Sequence, residues 1–479
     1  QAARPPARCR TRAGGFVAGT LCKKNGTTCP LWAVCGYQKQ KQKTADIWIL
    51  PHSNLWQPPP KSASGDALIN AAAIVVDEDP SMGAIAGFDR LNTGLIYQSF
   101  DDAGEPTPPS KEPQTALDRL ARAFQSMEGD MIDVDHIQAA GITIQDLNDA
   151  IDDAKNTFRK LNVTPTTPPD KLKAEVAKVA HINAAAKKSL HLCSLLMKAM
   201  LAGSETVPGC RLKLEQKQGQ WVKTVHLRWR KDVDEGWKMP TMIASATAQP
   251  EVLREIWPVL SDVIDAEAAT PHVSYRQVTD KAFGQSSLIA ANNEHGALTY
   301  TRNQRRRLLR YIEWRHFELG GKRTLVIAQK AVIEALQAMG LPAGVKTAHF
   351  NGLSGLDCFG DVRLIIQIGR TEPRTGDIER MAEVMGQRPV QKLNGYYERR
   401  TAHLNIRGTG QGPAIVTKGG KGAEEKPGAY YHPDPLAEAL RWLVCEGEML
   451  QGTGRGRGVN RTAENPLQID ILCNVPLPI

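Results

Sequence analysis

The sequence contains no stretch of about 18 consecutive apolar residues, the length that a membrane-spanning helix requires. It also has no signal-peptide hydrophobic segment, and its first residue is Gln rather than Met. These absences argue against a membrane span and suggest a fragment or a processed product. The 41% apolar and 23% charged residues are typical of an ordinary globular protein, and 479 residues suffice for about two to four domains.

The chain lacks the cysteine spacing of a disulfide framework. Its nine cysteines are an odd number, and the five after residue 35 are scattered singly. This pattern favours a reducing compartment, and we expect a cytoplasmic protein.

Four cysteines near the start have the spacing C-x12-C-x6-C-x5-C, without a C-x-x-C pair. They are Cys9, Cys22, Cys29 and Cys35. Four thiolates can bind Zn²⁺ or a [4Fe–4S] cluster, and in a reducing compartment a cysteine group is more often a metal site than a set of bridges. The alternative is four unrelated thiols.

The sequence also lacks a phosphate-binding loop of the form G-x-x-x-x-G-K-[ST]. Its net charge of +9 and pI near 9.0 nevertheless indicate a polyanionic partner, most simply nucleic acid. Residues 302–315 contain six arginines interleaved with aromatic residues. They could line a nucleic-acid path, with Arg305, Arg306 and Arg307 as strand contacts, or form a basic helix face.

An apolar run from Ala71 to Val76 ends in the two carboxylates Asp77 and Glu78. A buried parallel strand delivers acids to a sheet edge in this way, and such an edge holds the phosphates and magnesium in nucleotide-hydrolysing α/β proteins. We therefore predict that Asp77 holds Mg²⁺ through its water shell and that Glu78 orients or deprotonates the attacking water. The alternative is a strand that runs into an acidic turn.

Strands alternate with helical patterns in both halves of the chain, which predicts an α/β protein with two parallel-sheet domains. A hairpin is predicted around Gln218-Gly219, because apolar and polar residues alternate on both sides of it. The predicted divisions are a Cys-rich segment at 1–44, a first α/β domain at 45–100 and 206–270, a helical insertion at 101–205, and a second α/β domain at 271–479.

Further motifs follow along the chain. Their order resembles that of the motor of superfamily 2 helicases, most closely the XPD/DinG group of iron–sulfur DNA helicases. The matching segments are Asp77-Glu78 (motif II), Ser245-Ala246-Thr247 (motif III), Thr324 to Ala328 (motif IV), Gly352 to Asp357 (motif V) and Gln451 to Arg457 (motif VI). The four cysteines before the segment Ala45 to His52 and the helical region at 101–205 are similar to that group's cluster and arch.

The resemblance implies two RecA-like domains that couple ATP hydrolysis to movement on single-stranded or forked DNA. It implies that Asp77 binds Mg²⁺, that Glu78 activates water, and that Gln451, Arg455 and Arg457 approach the nucleotide. The four cysteines would hold a [4Fe–4S] cluster.

Four other residues would link the ATP site to the nucleic acid. The resemblance implies that Ser245 and Thr247 couple the two sites and that Gly355 and Asp357 lie at the cleft between the domains.

The sequence departs from that family in three places. Asp79 and Pro80 stand where the family has Ala and His, and Arg457 follows Arg455 by two residues rather than three. The third departure is the missing phosphate loop, which would lie upstream of residue 1. The parent protein would then resemble a phage or plasmid primase–helicase. Without this loop we expect poor ATP affinity. Three alternatives stay open: a metal-stapled nucleic-acid-binding protein without ATPase activity, a translocase that remodels protein–DNA complexes, and a coincidental motif series.

Overall fold

The computed structural model describes residues 23–24, 27–40, 45–61, 69–92, 115–217, 219–266, 268–278, 281–290, 294–353, 355, 358–400, 403–404, 414–415, 429–475 and 477. The chain divides into two compact units. The first comprises residues 1–76, 82–242 and 383–388, and the second comprises residues 77–81, 243–382 and 389–479.

The strands are short and numerous. In chain order they are β1 (Lys23–Lys24), β2 (Thr27–Thr28), β3 (Ile74–Asp77), β4 (Ile85–Asn92), β5 (Met131–Asp133), β6 (Thr206–Lys217), β7 (Gln220–Arg230), β8 (Thr241–Ala244), β9 (Val273–Val278), β10 (Thr324–Ala328), β11 (Val345–His349), β12 (Leu364–Ile368), β13 (Glu398–Arg400), β14 (His403–Leu404), β15 (Ala414–Ile415), β16 (Ala429–Tyr431) and β17 (Leu467–Leu472).

The helices range from one turn to nine turns. In chain order they are α1 (Gly36–Gln40), α2 (Ala116–Ser126), α3 (Val134–Ala139), α4 (Ile144–Thr157), α5 (Pro169–Leu201), α6 (Pro250–Ile256), α7 (Gln285–Leu288), α8 (His295–Glu318), α9 (Lys330–Met339), α10 (Thr375–Gly386), α11 (Pro435–Trp442) and α12 (Glu448–Gly454), with a π-helical turn at Leu443–Gly447. No helix in the described ranges is long and apolar enough to cross a membrane.

The first unit contains a four-stranded antiparallel sheet in the order β4-β7-β6-β5. The predicted hairpin is confirmed: β6 and β7 pair out to Lys217 and Gln220, and Gly219 in the turn has a φ of +83°, which glycine adopts at little cost. Because so short a connection joins only antiparallel strands, this sheet differs from the parallel sheet expected for the first half.

Helices α2 to α5 and the hairpin of the first unit share one apolar core. Thr115 and Thr143 begin α2 and α4 with reciprocal capping boxes to Asp118 and Asp146. The fully buried members of the core come from helices and strands alike and include Leu120, Phe124, Ile137, Leu147, Leu192, Leu196, Leu212, Val225 and Leu227. The predicted helical region therefore packs against the hairpin that follows it in the chain.

The second unit contains a five-stranded parallel sheet in the order β11-β10-β12-β17-β9. All residues of β10 and β12 are buried, as expected for strands covered on both faces. Alternate residues point to two cores: Leu325, Ile327 and Ile365 to one, and Val326 and Ile366 to the other. The α/β class with a parallel sheet is thus confirmed in this unit.

Two further strands, β3 and β8, form a separate pair. The backbone N–H groups of Ile74 and Glu78 donate to the carbonyls of Pro240 and Ala244, so the two strands run in parallel. β3 is only partly buried, because Val75 is 66% exposed while Val76 is 3% exposed.

Candidate nucleotide site

The carboxylate of Glu78 lies beside the guanidinium of Arg455, and both residues belong to the second unit. The chain bends directly after β3, because Glu78 has a φ of +68°, a left-handed conformation that is strained for a residue other than glycine. Glu78 Oε1 is 3.6 Å from Arg455 Nη2. The residue predicted to activate water therefore forms an ion pair with one of the residues predicted to approach the nucleotide. Asp77, at the end of β3, is exposed.

Asp79 and Pro80 form a tight turn after Glu78. The backbone N–H of Ser81 donates to Asp79 Oδ1 at 2.7 Å, and both Pro80 and Ser81 are buried. Asp79 therefore stabilises the loop that follows the two predicted catalytic carboxylates. Short aspartate side chains favour such turns.

Thr247 and Gln451 form a second contact in the same unit. Thr247 is 3% exposed, and its backbone N–H donates to Ser245 Oγ at 3.2 Å. Gln451 Nε2 donates to Thr247 Oγ1 at 3.5 Å. Two of the predicted coupling residues thus lie together, and one of them contacts the predicted motif VI.

The helical stretch that carries Gln451 and Arg455 starts where the sequence predicted. Asp434 Oδ1 accepts hydrogen bonds from the N–H groups of Leu436 and Ala437, and Pro435 occupies the first helical position. The π-helical turn then separates α11 from α12. Such turns insert an extra residue and occur frequently at functional sites.

Glu448 is a member of this group that the motif analysis missed. Its Oε1 accepts a hydrogen bond from the backbone N–H of Asn351 at 2.5 Å, and burial raises its pKa above the usual glutamate value. It precedes Gln451 by three residues and Arg455 by seven, so all three lie on one helix face. That spacing is the signal that identifies Glu448 from sequence.

Gly456 lets the chain after α12 approach the sheet. A Cβ atom built at Gly456 would lie 2.5 Å from Leu467 Cδ2 and 2.9 Å from Ile365 Cδ1, whereas one at Gly454 would meet no described heavy atom within 4 Å.

We expect Gly456→Ala to destabilise the second unit by about 1–3 kcal/mol, because the added methyl group overpacks the end of the sheet. Gly454→Ala is the matched control, and we expect it to be neutral or slightly stabilising. Urea unfolding followed by tryptophan fluorescence measures both. Equal stability of the two variants would show that the close approach is unimportant.

Three predicted residues remain: Arg457 of the nucleotide site, and Gly355 and Asp357 of the cleft. Arg457 is exposed and has a φ of +52°, beyond the end of α12. Gly355 is exposed with a φ of +73°, a conformation suited to glycine. Asp357 lies outside the described residues.

The three arginines predicted to contact a strand are in different environments. Arg305 is partly buried and donates a hydrogen bond to the carbonyl of Leu288, so it holds α8 against α7. Arg306 and Arg307 are exposed.

The predicted cysteine ligands are only partly described. Cys9 and Cys22 lie outside the described residues, and Cys29 and Cys35 are both buried. Over the part of the chain that is described, no group of three or more His, Cys, Asp or Glu side chains is arranged to hold a metal ion. The cluster stays a prediction.

No protein-family model matches the chain, and no curated protein matches it.

Proposed function

We propose that the protein is an ATP-dependent DNA helicase or translocase of superfamily 2, with a RecA-like domain around the parallel sheet of the second unit. The ion pair between Glu78 and Arg455 carries this proposal. The two residues are 377 positions apart in the sequence, and the sequence predicts both for one nucleotide site. The adjacent contact between Thr247 and Gln451 supports the same assignment.

In the proposed reaction, water attacks the γ-phosphorus of ATP, the bond to the β-phosphate oxygen breaks, and ADP and phosphate leave. Glu78 accepts the proton from the water and later releases it to solvent. Arg455 stabilises the negative charge that develops on the γ-phosphate oxygens. Since Arg455 now neutralises Glu78, movement of its guanidinium towards a triphosphate would free the carboxylate to act as the base.

The residues present are compatible with Mg²⁺. Asp77 and Glu78 supply carboxylate oxygens, and protein-bound Mg²⁺ is usually held by one or two carboxylates together with substrate phosphates. Asp77 would hold the ion, which neutralises charge on the phosphates when bound.

Coupling to DNA would run through Thr247 and Gln451. A shift of α12 that accompanies movement of Arg455 would also move Gln451, and with it the segment Ser245 to Thr247. The net charge of +9 favours a polyanionic track for the resulting motion.

The second candidate is a nucleic-acid-binding protein without ATPase activity. The absence of a G-x-x-x-x-G-K-[ST] motif from this sequence favours it, as does Asp79-Pro80 in place of the family's Ala and His. A third candidate is a translocase that remodels protein–DNA complexes. Comparing strand displacement on bare duplexes with strand displacement on protein-blocked duplexes distinguishes it from a helicase.

We expect Glu78→Gln to lower the turnover of ATP by at least about 10²-fold, because the amide cannot accept the proton from water. Hydrolysis is measured with single-stranded DNA at millimolar ATP, since we expect weak nucleotide affinity. Asp152→Asn makes the same change at an exposed site on α4 and should leave turnover unchanged. Wild-type turnover in Glu78→Gln would favour the second candidate.

A further inference from the structure

Helix α8 presents a continuous exposed line of aromatic and polar residues. We call it the outer stripe, and its members follow one another at spacings of three and four residues: Tyr300, Asn303, Arg307, Arg310, Trp314 and Phe317. This spacing places all six on one face of the helix. At 1.5 Å per residue the stripe is about 26 Å long.

The opposite face of α8 is fixed to the parallel sheet of the second unit. Leu308 and Ile312 are buried in one of its two cores. Arg315 is 1% exposed and donates to both carboxylate oxygens of Asp470 on β17, from Nε at 2.5 Å and from Nη2 at 3.1 Å. The Tyr311 hydroxyl donates to Asp470 Oδ2 at 2.9 Å. The stripe therefore projects from a rigidly held helix.

The stripe is strongly cationic. Arg307 and Arg310 lie on it, and Arg302 and Arg306 flank it; all four are exposed, and none has a carboxylate within 4 Å in the described part of the chain. The helix has two acidic residues, Glu313 and Glu318, and Glu318 pairs with the buried Arg315. Arginines without carboxylate partners are available for phosphate groups.

Trp314 is an exposed ring with a fixed orientation. It is 53% exposed, yet the Tyr311 ring meets it edge-on at 5.6 Å and the Arg315 guanidinium lies 5.7 Å from its centroid. Both neighbours are anchored by Asp470. A ring held in this way can stack on a base with little loss of side-chain entropy.

We propose that the outer stripe is a binding surface for single-stranded nucleic acid, in which Arg306, Arg307 and Arg310 contact phosphates and a base stacks on Trp314. Charge selects a polyanion over a neutral protein surface, and the interleaved aromatic rings select unpaired bases over a duplex. The surface deepens the proposed function by placing part of its nucleic-acid track. It needs no nucleotide, so binding can be tested separately from hydrolysis.

The first test is fluorescence anisotropy of a labelled oligothymidylate in the absence of ATP, over a range of salt concentrations. We expect R306A/R307A/R310A to weaken binding about tenfold or more and to lower the slope of log K against log salt by about 2. The matched control is K171A/K173A/K178A, which removes the same charge from exposed positions of α5. It should bind nearly as the wild type does. The Arg→Lys triple variant should recover most of the affinity.

The second test separates stacking from charge. Trp314→Ala should weaken binding about 5- to 100-fold with an unchanged salt slope, and Trp314→Phe should retain most of the affinity. Trp221→Ala, at a position that is 66% exposed on β7, is the control and should have no effect.

Wild-type affinity in both the arginine and the Trp314→Ala variants would overturn the proposal, and the stripe would then be a candidate for a protein partner. Glu78→Gln should bind the oligonucleotide as the wild type does. Failure of the proposed function would appear as unchanged hydrolysis in Glu78→Gln. Failure of the stripe proposal would appear as unchanged binding in the arginine and Trp314→Ala variants, so the two failures are distinguishable.

Discussion

Arg455→Ala should lower the rate of ATP hydrolysis by about 10³-fold or more at saturating ATP. The structure places this guanidinium 3.6 Å from the carboxylate of Glu78, with its side chain 11% exposed. If Glu78 activates water as proposed, an arginine beside it can reach the charge that develops on the γ-phosphate. Steady-state hydrolysis in the presence of single-stranded DNA measures the effect.

Arg457→Ala is the matched control for this prediction. Arg457 lies two residues further on, is exposed, and follows the end of α12 in a left-handed conformation. We expect its replacement to reduce turnover by less than about tenfold, a small part of the effect of an arginine finger. A larger loss in Arg457→Ala than in Arg455→Ala would reverse the assignment of the finger and contradict the role given to the ion pair.

Asp470→Asn should destabilise the second unit by about 3–5 kcal/mol, because it leaves the buried guanidinium of Arg315 without its main counter-charge. Asp470 and Arg315 are each 1% exposed. Burial, together with the Asp470 carboxylate, raises the pKa of Tyr311 to about 12, so the tyrosine hydroxyl stays protonated at neutral pH and donates to Asp470. Removing the carboxylate charge weakens three hydrogen bonds at once.

Urea unfolding followed by tryptophan fluorescence measures this loss. The control is Asp152→Asn, which alters an exposed pair with Lys155 and should change the free energy of unfolding by less than about 0.5 kcal/mol. A loss below about 1 kcal/mol in Asp470→Asn would mean that Glu318, which also pairs with Arg315, carries most of the compensation.

Much of the second unit follows from its sequence. The strand over Thr324 to Ala328 and the helix start at Asp434-Pro435 are where short apolar runs and capping residues place them. These features depend on local sequence and solvent exclusion, so they can be read without knowing the fold. The hairpin around Gly219 was predictable for the same reason.

The first unit was less predictable. Apolar runs indicate strands but do not show which strands pair. The sequence predicted the β6–β7 hairpin, but not that β4 and β5 extend it into a four-stranded antiparallel sheet instead of a parallel one. The left-handed conformation of Glu78 also has no sequence signal, because a residue other than glycine adopts it only where the surrounding structure imposes it.

In the arginine segment, helical periodicity alone predicts which side chains are buried and which are exposed. Arg305, Leu308, Ile312 and Arg315 are three or four residues apart and all face inwards. The same rule places Arg307, Arg310 and Trp314 outside. Helical spacing therefore separates the structural arginines from those available to a ligand. Treating Arg305, Arg306 and Arg307 as one group hides that difference.

Strand displacement from a forked DNA duplex tests the central claim most directly. We predict that the wild-type protein displaces the labelled strand with millimolar ATP and Mg²⁺, and that displacement is lost with a non-hydrolysable ATP analogue and in Glu78→Gln. Displacement that is equal with ATP and with the analogue, or DNA binding without any ATP-dependent displacement of bare or protein-blocked duplex, would contradict an ATP-driven motor.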